Sequence, residues 1–263
     1  MASQGLYLKT SGAGPDLVLL HGWGLHGDIW GPLLPLLEPH FRVTCVDLPG
    51  HGRSPWQGED SLDAMADAVL AVAPERSAWL GWSLGGLLAT RAAVTAPGRV
   101  TALITVASSP CFVRRPGWQS AMLPALLDAF AEELAEDYAR TLNRFLALQV
   151  RGSEASGTVL KALRAQLLAA GEPDATALAA GLGVLRSADL RDDLGAVSCP
   201  VLLLAGERDT LVPLSALQSA SELFRDAQLQ VIAGAGHAPF IARPEKVAGF
   251  ISDFLCKDVV QGG

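Results

Sequence analysis

Hydrophobic residues in this chain gather into short unbroken runs, and between the runs they recur every three or four positions. Runs rich in Val, Ile and Leu at about 16–21, 41–47, 77–82, 101–107, 199–205 and 228–232, with a weaker one at about 5–10, have the length of buried strands. The intervening spacing predicts helices at about 29–38, 61–73, 84–96, 214–225 and 243–255. This alternation predicts an α/β fold, a mostly parallel central sheet flanked by helices, because parallel neighbours need a crossover and a helix supplies it. The pattern breaks between about 112 and 187, where no strand-like run occurs and Leu and Ala follow helical spacing. Residues 1–111 and 188–263 are therefore expected to form one core, with 112–187 as an inserted helical cap above the active edge of the sheet.

The run at 77–82 leads into Gly81-Trp82-Ser83-Leu84-Gly85, a G-x-S-x-G pattern between a predicted strand and a predicted helix. In that setting the pattern reads as a nucleophile elbow, a sharp turn that exposes the serine Oγ while the glycines let neighbouring backbone come close. Upstream, the run at 16–20 feeds His21-Gly22-Trp23-Gly24. Acyl transfer needs N–H donors for a developing oxyanion; the candidates are Leu84, at the start of the helix, and Trp23 in the H-G-x-G loop.

A nucleophilic serine needs a base and an acid to orient it, in the chain order Ser, acid, His. The run at 199–205 opens into Glu207-Arg208-Asp209, and Asp209 is the acid expected, since it stands in the loop beyond the strand's C-terminal end. Glu207 lies closer to the strand, and Asp226 precedes the next one. His237, in the loop after the last run, is the expected base. His26 and His40 flank the first predicted helix and are expected in solvent, and His51 occupies a Gly-rich turn. No metal-ligand spacing and no phosphate loop after a strand occurs, so neither metal nor cofactor is expected.

Composition narrows the class further. At 263 residues, with 50% hydrophobic and 18% charged residues, the chain has the material for a substantial core. A net charge of −7 argues against a nucleic-acid partner. The four cysteines are dispersed, and Cys45 and Cys199 fall in apolar runs, which reads as buried thiols of a reducing compartment. With no leader-like N-terminus and no apolar run long enough to span a bilayer, a cytoplasmic protein without membrane association is expected, as a monomer. The cap carries a local imbalance: 138–164 holds Arg140, Arg144, Arg151, Lys161 and Arg164 against Glu154 alone. If 138–151 is one helix, Arg140, Arg144 and Arg151 share a face, either a solvated stripe or a surface that steers an anionic partner.

Beyond the elbow, Ser108-Ser109-Pro110-Cys111-Phe112, Arg144-Phe145-Leu146-Ala147-Leu148-Gln149 and Ala238-Pro239-Phe240 are more specific. With His21–Leu25 and Val46–Gly50 they make the chain resemble, along nearly its whole length, the pimeloyl-acyl-carrier-protein methyl ester carboxylesterases of biotin synthesis, the BioH-type α/β-hydrolases. The resemblance implies an α/β-hydrolase fold and removal of the methyl ester from pimeloyl on acyl carrier protein, which would be the partner. Residue by residue it implies a triad of Ser83, Asp209 and His237, oxyanion donors Trp23 and Leu84, and an acyl-channel wall of Phe145, Leu146, Ala147, Leu148 and Gln149. Substrate contact would then involve Trp23, Ser83, Leu84, His237 and that wall. Arg140 and Arg144 resemble the family's carrier-facing arginines; farther on the chain departs, with Gly157 and Lys161 where the family has more arginine, and Arg151 and Arg164 nearby. A general short-chain carboxylesterase, an acyltransferase and a carbon–carbon hydrolase would share the same catalytic residues. A ligand receptor on the same fold would not need all of them.

Overall fold

Seven strands lie in one sheet, in the order β1-β3-β2-β4-β5-β6-β7, in a computed structural model that describes residues 5–167 and 169–261. They are β1 (Leu8–Ser11), β2 (Asp16–Leu20), β3 (Arg42–Val46), β4 (Ser77–Trp82), β5 (Val100–Val106), β6 (Val201–Gly206) and β7 (Ala227–Ile232). Only β1 runs antiparallel, against β3; every other pair is parallel. All residues of β4 and β6 are buried, which is why they read as continuous apolar runs rather than alternating ones. β7, at the edge, leaves Gln228 exposed.

Helices α1 (Leu34–Leu37), α2 (Leu62–Val72), α3 (Leu84–Thr95), α8 (Leu214–Ser221), α9 (Pro239–Ala242) and α10 (Pro244–Gln261) belong to the sheet-bearing part. Ser61 caps α2 by accepting from the Ala64 N–H at 3.2 Å. Between β5 and β6 the chain builds α4 (Pro124–Glu136), α5 (Tyr138–Gln149), α6 (Ser156–Gln166) and α7 (Ala175–Ser187). Asp137 and Asp174 cap α5 and α7 through the N–H groups of Arg140, and of Thr176 and Ala177. Within this insertion α4 packs on α5 and α7, while α6 packs on α5 and reaches α9.

Three expectations change. The helix expected over 29–38 is a 3₁₀ turn, Gly27–Trp30, followed by the single-turn α1, because Pro32 and Pro35 remove two backbone donors from the stretch. Arg151 does not share a helix face with Arg140 and Arg144, because α5 ends at Gln149. Cys199 is only half-buried and lies ahead of β6 rather than within it, whereas Cys45 is buried in β3.

Helix α3 is the most enclosed, with nine of its 12 residues buried, and its small residues let it lie close to the sheet. A Cβ on Gly81 would stand 2.2 Å from the Gly85 carbonyl oxygen, and one on Gly85 would stand 2.3 Å from that of Leu20. Backbone cannot yield as a side chain does. Gly85→Ala is expected to cost about 3 kcal/mol or more in urea unfolding, or to prevent folding. Gly98→Ala, with open space around its Cα, should leave the unfolding midpoint nearly unchanged.

Candidate active site

The loops that follow β4, β6 and β7 meet at the C-terminal edge of the sheet, where parallel strands direct the ends of their connections. Ser83 forms the first, with φ 53° and ψ −117°, a conformation that L-residues rarely hold. Its N–H donates to Val106 O at 3.0 Å, and its own carbonyl accepts from Ser108 Oγ at 2.7 Å, so both sides of the strained peptide are tied to the end of β5. It stands ahead of α3 without capping it: its Oγ is directed to His237 instead.

Ser83 Oγ lies 2.9 Å from His237 Nε2, and His237 Nδ1 lies 2.7 Å from Asp209 Oδ2. A carboxylate only accepts, so the proton sits on Nδ1 and Nε2 is left free to accept from the serine hydroxyl. The other oxygen of Asp209 accepts from the N–H groups of Leu211 and Val212, at 2.8 and 3.0 Å, which pins the carboxylate in its loop. His237 is held at both ends of its backbone. Its N–H donates to Gln149 O at 3.0 Å, and its carbonyl accepts from Trp82 Nε1 at 2.7 Å. All three side chains are buried. The arrangement can activate a hydroxyl as a nucleophile and return the proton to a leaving group.

The N–H of Leu84 opens α3, where no intrahelical acceptor exists and the helix end carries partial positive charge. Trp23 lies nearby, because a Cβ on Gly181 of α7 would touch both the Trp23 ring and Leu84 Cδ2, at 2.7 and 3.4 Å. The Trp23 indole N–H donates to Leu178 O of α7 at 2.8 Å, and its ring meets Phe145 of α5 edge-on at 4.9 Å.

A model of the alpha/beta hydrolase fold family matches residues 15–244. A pimeloyl-(acyl-carrier protein) methyl ester esterase of Pectobacterium carotovorum is 48% identical over 241 residues, 91% of this chain and 94% of the relative. One of Nitrosomonas europaea is 45% identical over 249 residues, covering 95% and 98%. The chain belongs to the pimeloyl-(acyl-carrier protein) methyl ester esterase family of α/β-hydrolases. Among solved structures, an esterase from Exiguobacterium antarcticum shares the fold, with a TM-score of 0.85 at 23% identity over 95% of this chain and 94% of its own.

In this α/β-hydrolase His237 is not the only buried histidine. His40 is exposed as expected. His26 is not: it is buried, its Nε2 donating to Gln166 O at the end of α6 at 2.7 Å and its Nδ1 accepting from the Asp28 N–H. His21 bridges two loops, Nδ1 donating to Gly22 O at 2.8 Å and Nε2 accepting from the Leu48 N–H at 2.9 Å. Burial, reinforced by the neighbouring His51, lowers its pKa to about 3, and burial lowers that of His51 as well. Beside them Asp47 accepts from the Gly27 N–H and from the N–H and Nε of Arg53, at 2.7, 2.9 and 2.8 Å. Burial alone would raise the Asp47 pKa, but these donors outweigh it and hold the carboxyl below its ordinary range.

The stretch 145–149 is not a continuous wall in the hydrolase. A helix turns successive side chains about 100° apart, so Phe145, Leu146 and Gln149 are buried, Leu148 is half-buried and Ala147 faces solvent. The arginine face is also divided. Arg144 is spent on an ion pair with Glu133 and lies over the Phe130 ring, and Arg140 borders a depression it shares with Glu133, Glu136 and Asp137. Arg151, Lys161 and Arg164 are exposed and have no carboxylate within ion-pair distance among the described residues. Missed in the sequence were Trp82, whose indole holds His237, and the backbone of Gln149; the first had a signal in its place inside the elbow motif, the second none.

The buried neutral histidines carry a consequence for pH. As pH falls below about 6.5, the unfolded chain takes up protons that the folded chain refuses at His21 and His51, so stability falls with pH. For His21 the loss continues to about pH 3, where its folded form also charges. Urea midpoints measured between about pH 7.5 and 5 should decline. The slope should be shallower in His51→Phe, which keeps an aromatic ring and removes one titrating group.

Proposed function

We propose that this chain is a serine carboxylesterase that removes the methyl ester from a pimeloyl chain carried on acyl carrier protein. The observation that carries the reading is the near full-length identity of 43–48% to relatives of that name, joined to the serine–histidine–aspartate contacts at 2.9 and 2.7 Å. Ser83 Oγ attacks the ester carbonyl while His237 Nε2 takes its proton, and the N–H groups of Leu84 and Trp23 receive the oxyanion. Collapse of the tetrahedral intermediate expels methoxide, which leaves as methanol with the proton from His237. Water, deprotonated by the same imidazole, then attacks the acyl-enzyme and releases the free ω-carboxylate, the pimeloyl chain remaining on its carrier. Asp209 holds the imidazole in the tautomer required and stabilises its charged form. No metal or cofactor has a step in this scheme.

The insertion serves as the cap in this reading, with Trp23, Phe145, Leu146 and Gln149 around the acyl chain. An acidic carrier approaches an enzyme that is itself negative, so docking needs the cations of the cap. Arg140, Arg144, Arg151, Lys161 and Arg164 form that face, and its larger share falls to Arg151, Lys161 and Arg164, since Arg144 is paired with Glu133 and Arg140 borders a depression lined by Glu133, Glu136 and Asp137. The reading includes a cytoplasmic monomer making this acid for biotin synthesis. Free thiols at Cys45, Cys111, Cys199 and Cys256 fit a reducing compartment, and no described helix is long and apolar enough to cross a membrane.

Complementation tests the reading most directly: the wild-type chain should restore growth without biotin to a bacterial strain lacking its own pimeloyl-ester esterase, and Ser83→Ala should not. In vitro, Ser83→Ala should retain at most the about 10³–10⁴-fold advantage over water that binding and oxyanion donors supply. Charge reversal at Lys161 and Arg164 together should lower kcat/KM on the carrier-bound ester at least about tenfold, about 1.4 kcal/mol, while free dimethyl pimelate is hydrolysed as before. The Arg140→Glu, Arg144→Glu pair should lose less. A carrier reaction indifferent to both reversals and to salt would remove this face from the reading.

A further inference from the structure

One short segment of the insertion, residues 149–154, grips the turn that carries His237. The His237 N–H donates to Gln149 O and the Glu154 N–H donates to Gly234 O, both at 3.0 Å. The Glu154 carboxylate then reaches two further loops. It pairs with Arg208 at 3.0 Å, the residue immediately before Asp209, and with Arg243 at 3.4 Å, beyond α9. The loops of Asp209 and His237 are also joined to each other, through Arg208 N–H to Ala235 O at 2.9 Å and Gly234 N–H to the Glu207 carboxylate at 2.8 Å. Linker, acid loop and histidine loop thus close a ring of contacts.

Three glycines make room for that ring. Gly234 has φ +70°, and a Cβ there would stand 2.5 Å from Glu154 Oε2, so the carboxylate rests directly against its backbone. A Cβ on Gly152 (φ +82°) would lie 3.2 Å from Arg208 O, and one on Gly236 would lie 3.0 Å from Gln149 O. Any side chain at Gly234 would push the carboxylate off its seat.

We propose that Glu154 is a positioning residue for the His237–Asp209 pair: its carboxylate, seated on Gly234 and shared between Arg208 and Arg243, sets the separation of the two loops. The inference rests on reading Ser83, His237 and Asp209 as the triad. Glu154 is about half exposed, at 51%, and each arginine is at 47%, so water screens these pairs and they add little to the stability of the fold. Their effect falls on geometry, to which a triad is sensitive, since displacement by about 1 Å can cost about 10²-fold in rate. A residue of this kind shows itself in kcat with little change in unfolding.

The test uses 4-nitrophenyl acetate, a small activated ester that needs no carrier, with Glu154→Gln, Glu154→Ala, Arg208→Ala and the Glu154→Ala/Arg208→Ala double variant. Glu154→Ala should lower kcat about fivefold with KM within about twofold and an unchanged urea midpoint. Glu154→Gln, which keeps the size and part of the hydrogen bonding, should recover part of the loss. The double variant should lose no more than the worse single one, because both remove the same contact. An unchanged kcat, a rise in KM alone, a loss of rate that follows a lower midpoint, or additive losses would each overturn the proposal. Arg243→Ala provides the same kcat and KM readout should Glu154→Ala fail to fold. Near-wild-type turnover in Ser83→Ala would instead sink the triad reading itself.

Discussion

The reversal of the chain between β4 and α3 is the constraint on which the remainder of the site is built. Ser83 is held in a backbone conformation that costs about 1–3 kcal/mol, and it is kept there because the space around it is filled by main chain. Gly81 abuts Gly85, Gly85 abuts Leu20 and His21, and Gly86 abuts the Ser108 side chain. Elbow, H-G-x-G loop and the end of β5 therefore approach one another over positions where no Cβ fits. The direction of the serine hydroxyl is settled by folding, before any substrate arrives, and the His237 loop is hung from the same turn through the Trp82 indole.

A second layer of order lies behind the H-G-x-G loop. His21 and Asp47 do no chemistry at the serine, yet their hydrogen bonds fix Gly22, Gly27, Leu48 and Arg53, so the two loops flanking β2 and β3 are set in relation to each other. The arrangement is economical in charge. Burial keeps His21 and His51 neutral, and the one buried carboxylate of the group is balanced by Arg53, whose guanidinium also lies 4.1 Å from the centre of the Tyr7 ring. His26 extends the same network to the end of α6, a second tie between the sheet-bearing part and the insertion besides Glu154's ring of contacts.

The sheet was legible because its inner strands are buried on both faces, and Ser83 and Asp209 stood out because each follows such a strand, whereas His237 follows the half-exposed edge strand β7. Legibility failed where the decisive contact was made by backbone or across long sequence separation. Pro32 and Pro35 carried a local warning that the apolar spacing over 29–38 concealed. The solvent expected for His26 could not be corrected from its neighbours in sequence, since its partner is the carbonyl of Gln166. Glu154 looked like the lone acid in a basic stretch, and its relation to Arg208 and Arg243 exists only once three loops have been assembled. The stretch 145–149 matched a family segment in sequence, but helical geometry distributes its members between interior and solvent.

Trp23 belongs to two parts of the molecule at once, with its backbone in the loop after β2 and its indole bound to Leu178 O of α7 and packed on Phe145 of α5. The insertion, though continuous in sequence between β5 and β6, is consequently not an exchangeable module. A segment transplanted from a relative by cutting at those two strands would have to bring an acceptor for the indole, a gap at the position of Gly181 for the ring, and a carboxylate for Arg208 and Arg243. Recombination between members of this family is thereby limited by compatibility at residues 23, 208 and 243, all of them outside the exchanged segment.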